Sequence, residues 1–321
     1  MTASTALDGR SAIVFGGGGF IGSHVVAALD AAGARVTSFD LREAAVPAGV
    51  IATLGDITSP EAVREAVRGA DHVFALAGSL GALRSIAEPV LDLHTSCEAQ
   101  LVLLEAVREV APEATVVFAG SRLEYGAPVA LPVAESHPVC PESPYAIHKA
   151  ACAAYYQTYA RVHGLRTIVL RLPNPYGCHV RGASRDLGYG IVNLFVDTAL
   201  DGGRIALYGG GAQLRDFVHV EDVARAALVA AVTPGAIGEI LNIGSGEPHS
   251  LREAAELIVE LCGRGSIDVD VPWPDEAASV ETGDFYFDIT RAADVLDWRP
   301  AVGFTQGLTT MVAGMREGRE R

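Results

Sequence analysis

The sequence predicts an α/β protein: a doubly wound parallel sheet with a smaller α/β lobe beside it. Three observations carry that prediction. Short apolar runs of strand length alternate with longer helix-forming stretches through the first 172 residues. The first of those runs opens directly into a glycine-rich turn and then a helix. Glycine is abundant, at 35 of 321 residues, while aromatics make up 7%, which suits a mixed fold with many tight turns better than an all-β one.

Taken in order, Ser11–Phe15 is a short apolar run that reads as a buried strand. It enters Gly16-Gly17-Gly18-Gly19-Phe20-Ile21-Gly22, then a helix to about Asp30. Strand, glycine turn and helix make a phosphate cradle. The glycines, spaced at Gly16, Gly19 and Gly22, permit the tight turn and let a pyrophosphate approach the helix N-terminus. A second strand over 35–39 ends at Asp40, whose carboxylate can hold adenosine ribose hydroxyls and would repel a 2′-phosphate, so NAD is expected rather than NADP. A third strand at 50–54 runs into Gly55-Asp56-Ile57, a helix spans 60–67, and a fourth strand covers 71–76. Ala77-Gly78-Ser79 then supplies small residues where backbone must pass close to a cofactor. A long helix at 96–110 and a fifth strand at 115–119 lead into Gly120-Ser121. A helix carrying Tyr145 extends to about His163, and a sixth strand covers 166–170.

Beyond Leu172 the pattern changes. Pro173-Asn174-Pro175-Tyr176-Gly177 is a turn cluster and 178–190 a polar loop. A helix at 191–200, a short strand at 204–208 and a glycine triplet precede 214–220, a helix to about Val232 and a buried strand at 239–243. Helices are expected at 250–262, 290–296 and 304–315.

Ser143-Pro144-Tyr145-Ala146-Ile147-His148-Lys149 is the most chemically suggestive stretch. Pro144 suits a first helical turn, where no amide donor is missed, and Ala150, Ala151, Ala153 and Ala154 continue the helix. Tyr145 and Lys149 then lie one turn apart on one face. An ammonium beside a phenol favours the phenolate, a usable general base toward a sugar or alcohol hydroxyl.

Composition removes several function classes. The net charge of −15, with no basic run, excludes a nucleic-acid-binding face. No apolar run is long enough to span a membrane, and 1–10 lacks the apolar core of a signal peptide, so a cytoplasmic enzyme is expected. Cys97, Cys140, Cys152, Cys178 and Cys262 are scattered and read as free thiols. Cys178-His179 has no partner cluster, so no metal is expected.

With these residues in place, the chain resembles the extended short-chain dehydrogenase/reductase superfamily, in its nucleotide-sugar epimerase/dehydratase group, which includes UDP-glucose 4-epimerase-like enzymes. The glycine loop with Phe20-Ile21 matches the group's cofactor loop and Asp56-Ile57 its adenine-contacting pair. Ser121, four residues before Tyr125-Gly126, matches the catalytic Ser/Thr, and Tyr145 with Lys149 matches Tyr-x-x-x-Lys. Arg171 to Gly177, Arg215-Asp216-Phe217 and Asp297-Trp298-Arg299-Pro300 resemble later elements of the pattern. The resemblance covers nearly the whole chain and implies a Rossmann-type NAD-binding lobe over 1–172, with 217–243 returning to it, and a nucleotide-sugar lobe over 173–216 and 244–321.

It also implies roles. Ser121 would hydrogen-bond the reacting oxygen and Tyr145, while Lys149 would hold the nicotinamide ribose and keep Tyr145 acidic. Leu76, Ala77 and Gly78 are grouped with the cofactor residues. Asn174 and Arg215 would bind the diphosphate, Tyr208 would pack on the base, Ser85 lies in a stretch that lines the sugar site, and Asp284 in a late nucleotide-contacting segment. The chain departs from the pattern at Phe15, where Thr is usual, at Ser96, where Asn is usual, and at Asn193, where Pro is common. After Ser121 come Arg122, Leu123 and Glu124, whereas 4,6-dehydratases carry Thr-Asp-Glu beginning at the Ser121 position. The acid and base positions are therefore Arg122 and Leu123, which argues against an ordinary 4,6-dehydratase. Arg122 suits an acidic group on the substrate, a uronate or a phosphate.

The expected function is an NAD-dependent nucleotide-sugar 4-epimerase working through a transient 4-keto sugar. A dehydratase, decarboxylase or reductase of the same superfamily stands as the alternative, and a non-catalytic NAD-binding regulator as a remote one. The resemblance also implies a homodimer, through helices near 96–110 and 145–163.

Overall fold

The computed structural model describes residues 3–78, 81–179 and 190–320. Ser79 and the 180–189 part of the expected polar loop lie outside the described residues. The strands are β1 (Ser11–Phe15), β2 (Arg35–Asp40), β3 (Ile51–Leu54), β4 (His72–Ala75), β5 (Thr115–Ser121), β6 (Arg166–Leu172), β7 (Asn174–Tyr176), β8 (Arg204–Tyr208), β9 (Leu214–His219), β10 (Ile240–Asn242), β11 (Pro248–Ser250) and β12 (Ser266–Val271). Seven of them form one parallel sheet in the order β10-β6-β5-β4-β1-β2-β3.

The strand pattern explains why both faces are covered. In β1, Ala12 and Val14 enter one apolar cluster while Ile13 and Phe15 enter the other. In β5, Val117 and Ala119 divide from Val116 and Phe118 in the same way. Successive side chains point to opposite faces, so a near-continuous apolar strand needs a helical layer on each. The Phe20–Ala31 and Val220–Val232 helices pack together on the first face. The Pro60–Ala66, Ala99–Val110 and Pro144–His163 helices cover the second.

From β1 the chain winds outward to β3, then crosses back to place β4 on the other side of β1. That reversal leaves a crevice at the carboxyl ends of β1 and β4, the usual ligand position in such sheets. β10 extends the sheet beyond β6, although β9 just before it pairs with β7 and β11 in a separate small sheet. β8 and β12 make a two-stranded parallel pair. The Ile191–Leu200, Leu251–Cys262 and Phe304–Glu320 helices close a third apolar cluster around these smaller sheets.

Several elements differ from expectation. β5 and β6 run two residues further, to Ser121 and Leu172, which face each other in register. The long helix is preceded by a π-helical turn at Leu93–Glu98 and by short helices at Ala82–Ala87 and Pro89–Asp92. Glu88, at φ −131°, breaks the chain between those two helices, and Pro89 restarts it. β11 and β12 fall where the tail reads mainly as helix.

Candidate active site

Ser121 ends β5 and begins a 3₁₀ turn, Arg122–Tyr125. Its Oγ accepts from Leu123 N at 3.2 Å, and its own N–H donates to Glu124 Oε1 at 2.7 Å. Glu124 Oε2 accepts from Arg171 Nε at 2.7 Å, with side chains 0% and 4% exposed respectively. Glu124 is thus held inside the protein, and Arg171 also covers the Tyr125 ring at 4.3 Å from its centroid.

Ser143 caps the next helix by accepting from Ala146 N at 3.3 Å, and Pro144 occupies its first turn. Such a cap is worth about 1 kcal/mol. Here it also fixes where Tyr145 leaves the backbone. The Tyr145 N–H donates to Ser85 Oγ at 3.0 Å, and Ser85 Oγ donates to Ala82 O at 2.7 Å. Lys149 is buried, and its Nζ donates to Ala119 O at 2.7 Å. The ammonium lies 4.7 Å from the Phe118 ring centroid and 5.9 Å from that of Tyr145. Its charge is therefore anchored to the end of β5, one helical turn from the phenol.

The glycine loop is a tight backbone knot. Gly16 sits at φ +81°, its N–H donates to Phe39 O at 2.8 Å, and Gly19 N donates back to Gly16 O at 3.0 Å. A Cβ on Gly22 would lie 2.0 Å from Gly16 O, so a side chain there has no room. Gly18 N donates to Asp40 Oδ2 at 2.9 Å, which brings the carboxylate at the end of β2 to the loop. Asp56 Oδ1 takes the N–H and hydroxyl of Thr58, both at 2.8 Å.

A cleft of about 500 Å³ gathers most of the residues selected from sequence. Gly16, Gly19, Phe20, Ile21, Gly22, Asp40, Asp56, Ile57, Leu76, Ala77 and Gly78 line it, together with Ser85, Ser121, Tyr145 and Lys149. Arg84, Glu88, Leu91, Asp92 and Thr95 line it too and were not selected. They sit on the short helices and the π turn, whose sequence carries no ligand motif. His148, inside the Tyr–Lys spacing, binds buried Asp92 at 2.6 Å, and Asp92 also accepts from Ser96 Oγ at 3.2 Å, contacts that have no signature in the sequence.

The remaining selected residues do not line that cleft. Arg122 Nη1 donates to Thr282 Oγ1 at 2.9 Å, and its guanidinium carbon lies 5.1 Å from the Phe285 ring centroid. Burial, then the like charge of Arg215, lowers the Arg122 pKa. Arg215 is buried, pairs with Glu281 Oε1 at 2.5 Å and donates to Gly283 O at 2.7 Å. Asn174 Nδ2 donates to Asp216 O at 3.0 Å, Asp284 Oδ1 accepts from Leu214 N at 2.8 Å, and the Tyr208 ring lies 5.4 Å from that of Trp273. Asp216 is fully buried and accepts from Ser245 N and Oγ, Gly246 N and Phe287 N; burial still raises its pKa. These contacts join 214–216 to 281–287 in one mesh. Among the described residues no group of three or more His, Cys, Asp or Glu is placed to hold a metal, and no helix is long and apolar enough to cross a membrane.

Comparison with known proteins bears on this geometry. The profile of the NAD dependent epimerase/dehydratase family matches residues 12–244. The chain is 33% identical to a UDP-glucose 4-epimerase of Azospirillum brasilense, over 82% of this chain and 80% of the relative. It is 32% identical to a dTDP-glucose 4,6-dehydratase of Streptomyces antibioticus, over 83% and 76%. Among solved structures, the UDP-glucose 4-epimerase of Thermus thermophilus in complex with NAD superimposes with a TM-score of 0.85 at 32% identity, covering 96% of this chain and 99% of that one.

Proposed function

The chain belongs to the NAD dependent epimerase/dehydratase family, and from that premise we propose that it is an NAD-dependent nucleotide-sugar 4-epimerase. NAD is the cofactor, and the residues present suit it: a glycine turn with no room for a side chain at Gly22, a carboxylate at Asp40 and an anchored ammonium at Lys149, all on one cleft. When bound, it supplies reversible hydride acceptance at the sugar carbon.

The protein's own residues move the proton and hold the oxygen. Tyr145 takes the proton from the sugar 4-hydroxyl and later returns it. Ser121 donates to the same oxygen as it becomes the carbonyl of a transient 4-keto sugar, and Lys149 stabilises charge on the phenol. Asn174 and Arg215 hold the diphosphate, the Tyr208 ring packs on the base, and Asp284 positions the strand carrying Arg215.

The observation that carries the epimerase reading over a dehydratase is the turn after Ser121. It presents Arg122 and Leu123, and its carboxylate, Glu124, is engaged by Arg171 in the protein interior. Elimination needs an acid and a base beside the ketone; transient oxidation at C4 needs only the Tyr145 base.

The NAD lobe in this reading comprises 1–172 with 217–243, supported by β10 extending the large sheet, and the nucleotide-sugar lobe comprises 173–216 and 244–321. The enzyme pairs as a homodimer through the helices near 96–110 and 145–163, where Ile147, Tyr155 and Val162 stand exposed. A cytoplasmic location goes with this reading, in keeping with five cysteines present as free thiols.

Proton NMR in D2O with UDP-, dTDP-, GDP- and CDP-sugars, uronates included, tests the reaction. A new 4-epimer free of solvent deuterium is expected. A stable keto or unsaturated product, or deuterium beside C4, would instead assign a dehydratase, a decarboxylase or a multi-centre epimerase.

A further inference from the structure

Tyr145 leaves the first turn of the Pro144–His163 helix, and that turn is tied to the wall of the cleft by three side-chain bonds. Ser85 Oγ takes the Tyr145 N–H at 3.0 Å. Lys149 Nζ donates to Ala119 O at 2.7 Å. The third bond runs from His148 Nδ1 to Asp92 Oδ2, at 2.6 Å. All three anchors, Ser85, Ala119 and Asp92, line the cleft. Ser85 and Asp92 do so from the two short helices, Ala82–Ala87 and Pro89–Asp92.

The third bond is not a surface ion pair. The His148 and Asp92 side chains are 11% and 3% exposed. A carboxylate that deep is costly unless it is paired and hydrogen-bonded. The charges around it are engaged elsewhere: Arg84 pairs with Glu88 at 3.5 Å, and His94 with Glu98 at 2.6 Å. The second oxygen of Asp92 accepts from Ser96 Oγ at 3.2 Å, which orients the carboxylate. Ser96 belongs to the π-helical turn Leu93–Glu98, a device common at functional sites. Its carbonyl also accepts from Cys152 Sγ at 3.4 Å, one turn beyond His148. Within the catalytic helix, His148 stands three residues after Tyr145 and directly before Lys149. A rotation of this turn would therefore move phenol and ammonium together, and a displacement of about 1 Å can lower a rate about 100-fold.

We propose that Asp92 and His148 are positioning residues for the reaction: their buried bond fixes the turn that aims Tyr145 and Lys149 into the cleft. The proposal rests on the reading of Tyr145 as the base and deepens it. Ser121, Tyr145 and Lys149 meet the reacting atoms, whereas the Asp92–His148 pair acts through the backbone between them. Its loss falls on kcat. Cofactor binding is spared, because the glycine turn and Asp40 sit on other elements.

The test compares the NAD-loaded wild type with Asp92→Ala, His148→Ala, the double variant and Asp92→Asn. Turnover is followed with the best substrate of the UDP-, dTDP-, GDP- and CDP-sugar panel, and bound NAD confirms that each variant is folded. Hydrogen exchange over 143–150, read by mass spectrometry without any sugar, reports the turn itself. Asp92→Ala should lower kcat by about 10- to 100-fold, leave KM within about threefold, and speed exchange over 143–150 but not over 16–22. The double variant should fall no more than about twofold below the worse single one, since the two residues act as one bond. Asp92→Asn, which keeps an oxygen for the imidazole N–H, should restore kcat to within about fivefold of the wild type. Unchanged kcat in Asp92→Ala would overturn the proposal. So would losses that multiply in the double variant, a loss matched by lost NAD, or an Asp92→Asn variant no better than Asp92→Ala. If the wild type turns over no sugar of the panel, the epimerase reading fails on its own. Faster exchange confined to 143–150 would then still support the hold on the turn, and unchanged exchange would overturn it.

Discussion

Beside β1, β2 and β4 the cleft is made of contacts close in sequence, whereas the mesh around Arg215, outside that cleft, is made of contacts that span the chain. Gly19 bonds Gly16, Thr58 bonds Asp56, and Asp40 reaches Gly18 across 22 residues. In the other half, Asn174 to Asp216 spans 42 residues, Arg215 to Glu281 66, Leu214 to Asp284 70 and Arg122 to Thr282 160. The first half forms with its βα units and stands ready. In the second, protein acceptors already take three of the N–H groups of Arg215, so under the proposed role a diphosphate there competes with Glu281. Affinity there is a difference between two sets of bonds rather than a sum of new ones.

That contrast can be broken at several points. The largest expected effect is at Tyr145. Tyr145→Phe should lower kcat by about 10³-fold, the scale of a lost general base, while bound NAD in the purified protein stays at the wild-type level. Loss of NAD along with turnover would mean that the Tyr145 hydroxyl also holds the cofactor. Glu124→Ala comes next. Its carboxylate holds Ser121 N and the buried Arg171 together, and stripping one partner from such a pair costs about 3–5 kcal/mol. Urea unfolding should show that loss, because an uncompensated buried guanidinium outweighs any gain in packing.

Glu281→Gln addresses the exchange directly. Removing the competing carboxylate should tighten UDP binding by up to about fivefold, the scale of an ion pair with one partly exposed partner. Weaker binding, read by calorimetry, would show that Glu281 belongs to the occupied site. The smallest effect is one of pH. Burial lowers the pKa of His24, His72 and His219 below the ordinary 6.5, against the opposing pull of Asp71 on His72 and of Glu221 on the other two. The unfolded chain therefore takes up protons before the folded one does. The stability these histidines contribute is complete above pH 6.5 and lost as pH falls through their folded pKa values. Denaturant midpoints should drop between pH 7.5 and 5.5, less steeply in His219→Gln.

The same contrast explains what could be read without coordinates. Gly16 to Gly22, Asp40, Tyr145 and Lys149 were legible because turn, helix start and helical spacing are local properties. The extension of β5 to Ser121 was not, because it depends on pairing with Leu172. Arg84 and Asp92 gave no sign of reaching the cleft, since only the packing of the short helices against the Pro144–His163 helix brings them there. In β12, Ser266-Ile267-Asp268-Val269-Asp270-Val271 does carry a period-two alternation, but its partner β8 lies some 60 residues earlier. The engagement of Glu124 by Arg171 was likewise invisible, being an encounter between two separate strand ends.

The mesh that carries Glu281, Thr282 and Gly283 has one firm root. Phe285 and Phe287 are buried with Tyr125 and Val133, and Val133 exchanges backbone bonds with Tyr286 and Asp288. Upstream, Asp275–Ala278 has no buried residue. Substitutions at Glu281 and Thr282 would change what meets Arg215 and Arg122 without touching the aromatic root or the parallel sheet.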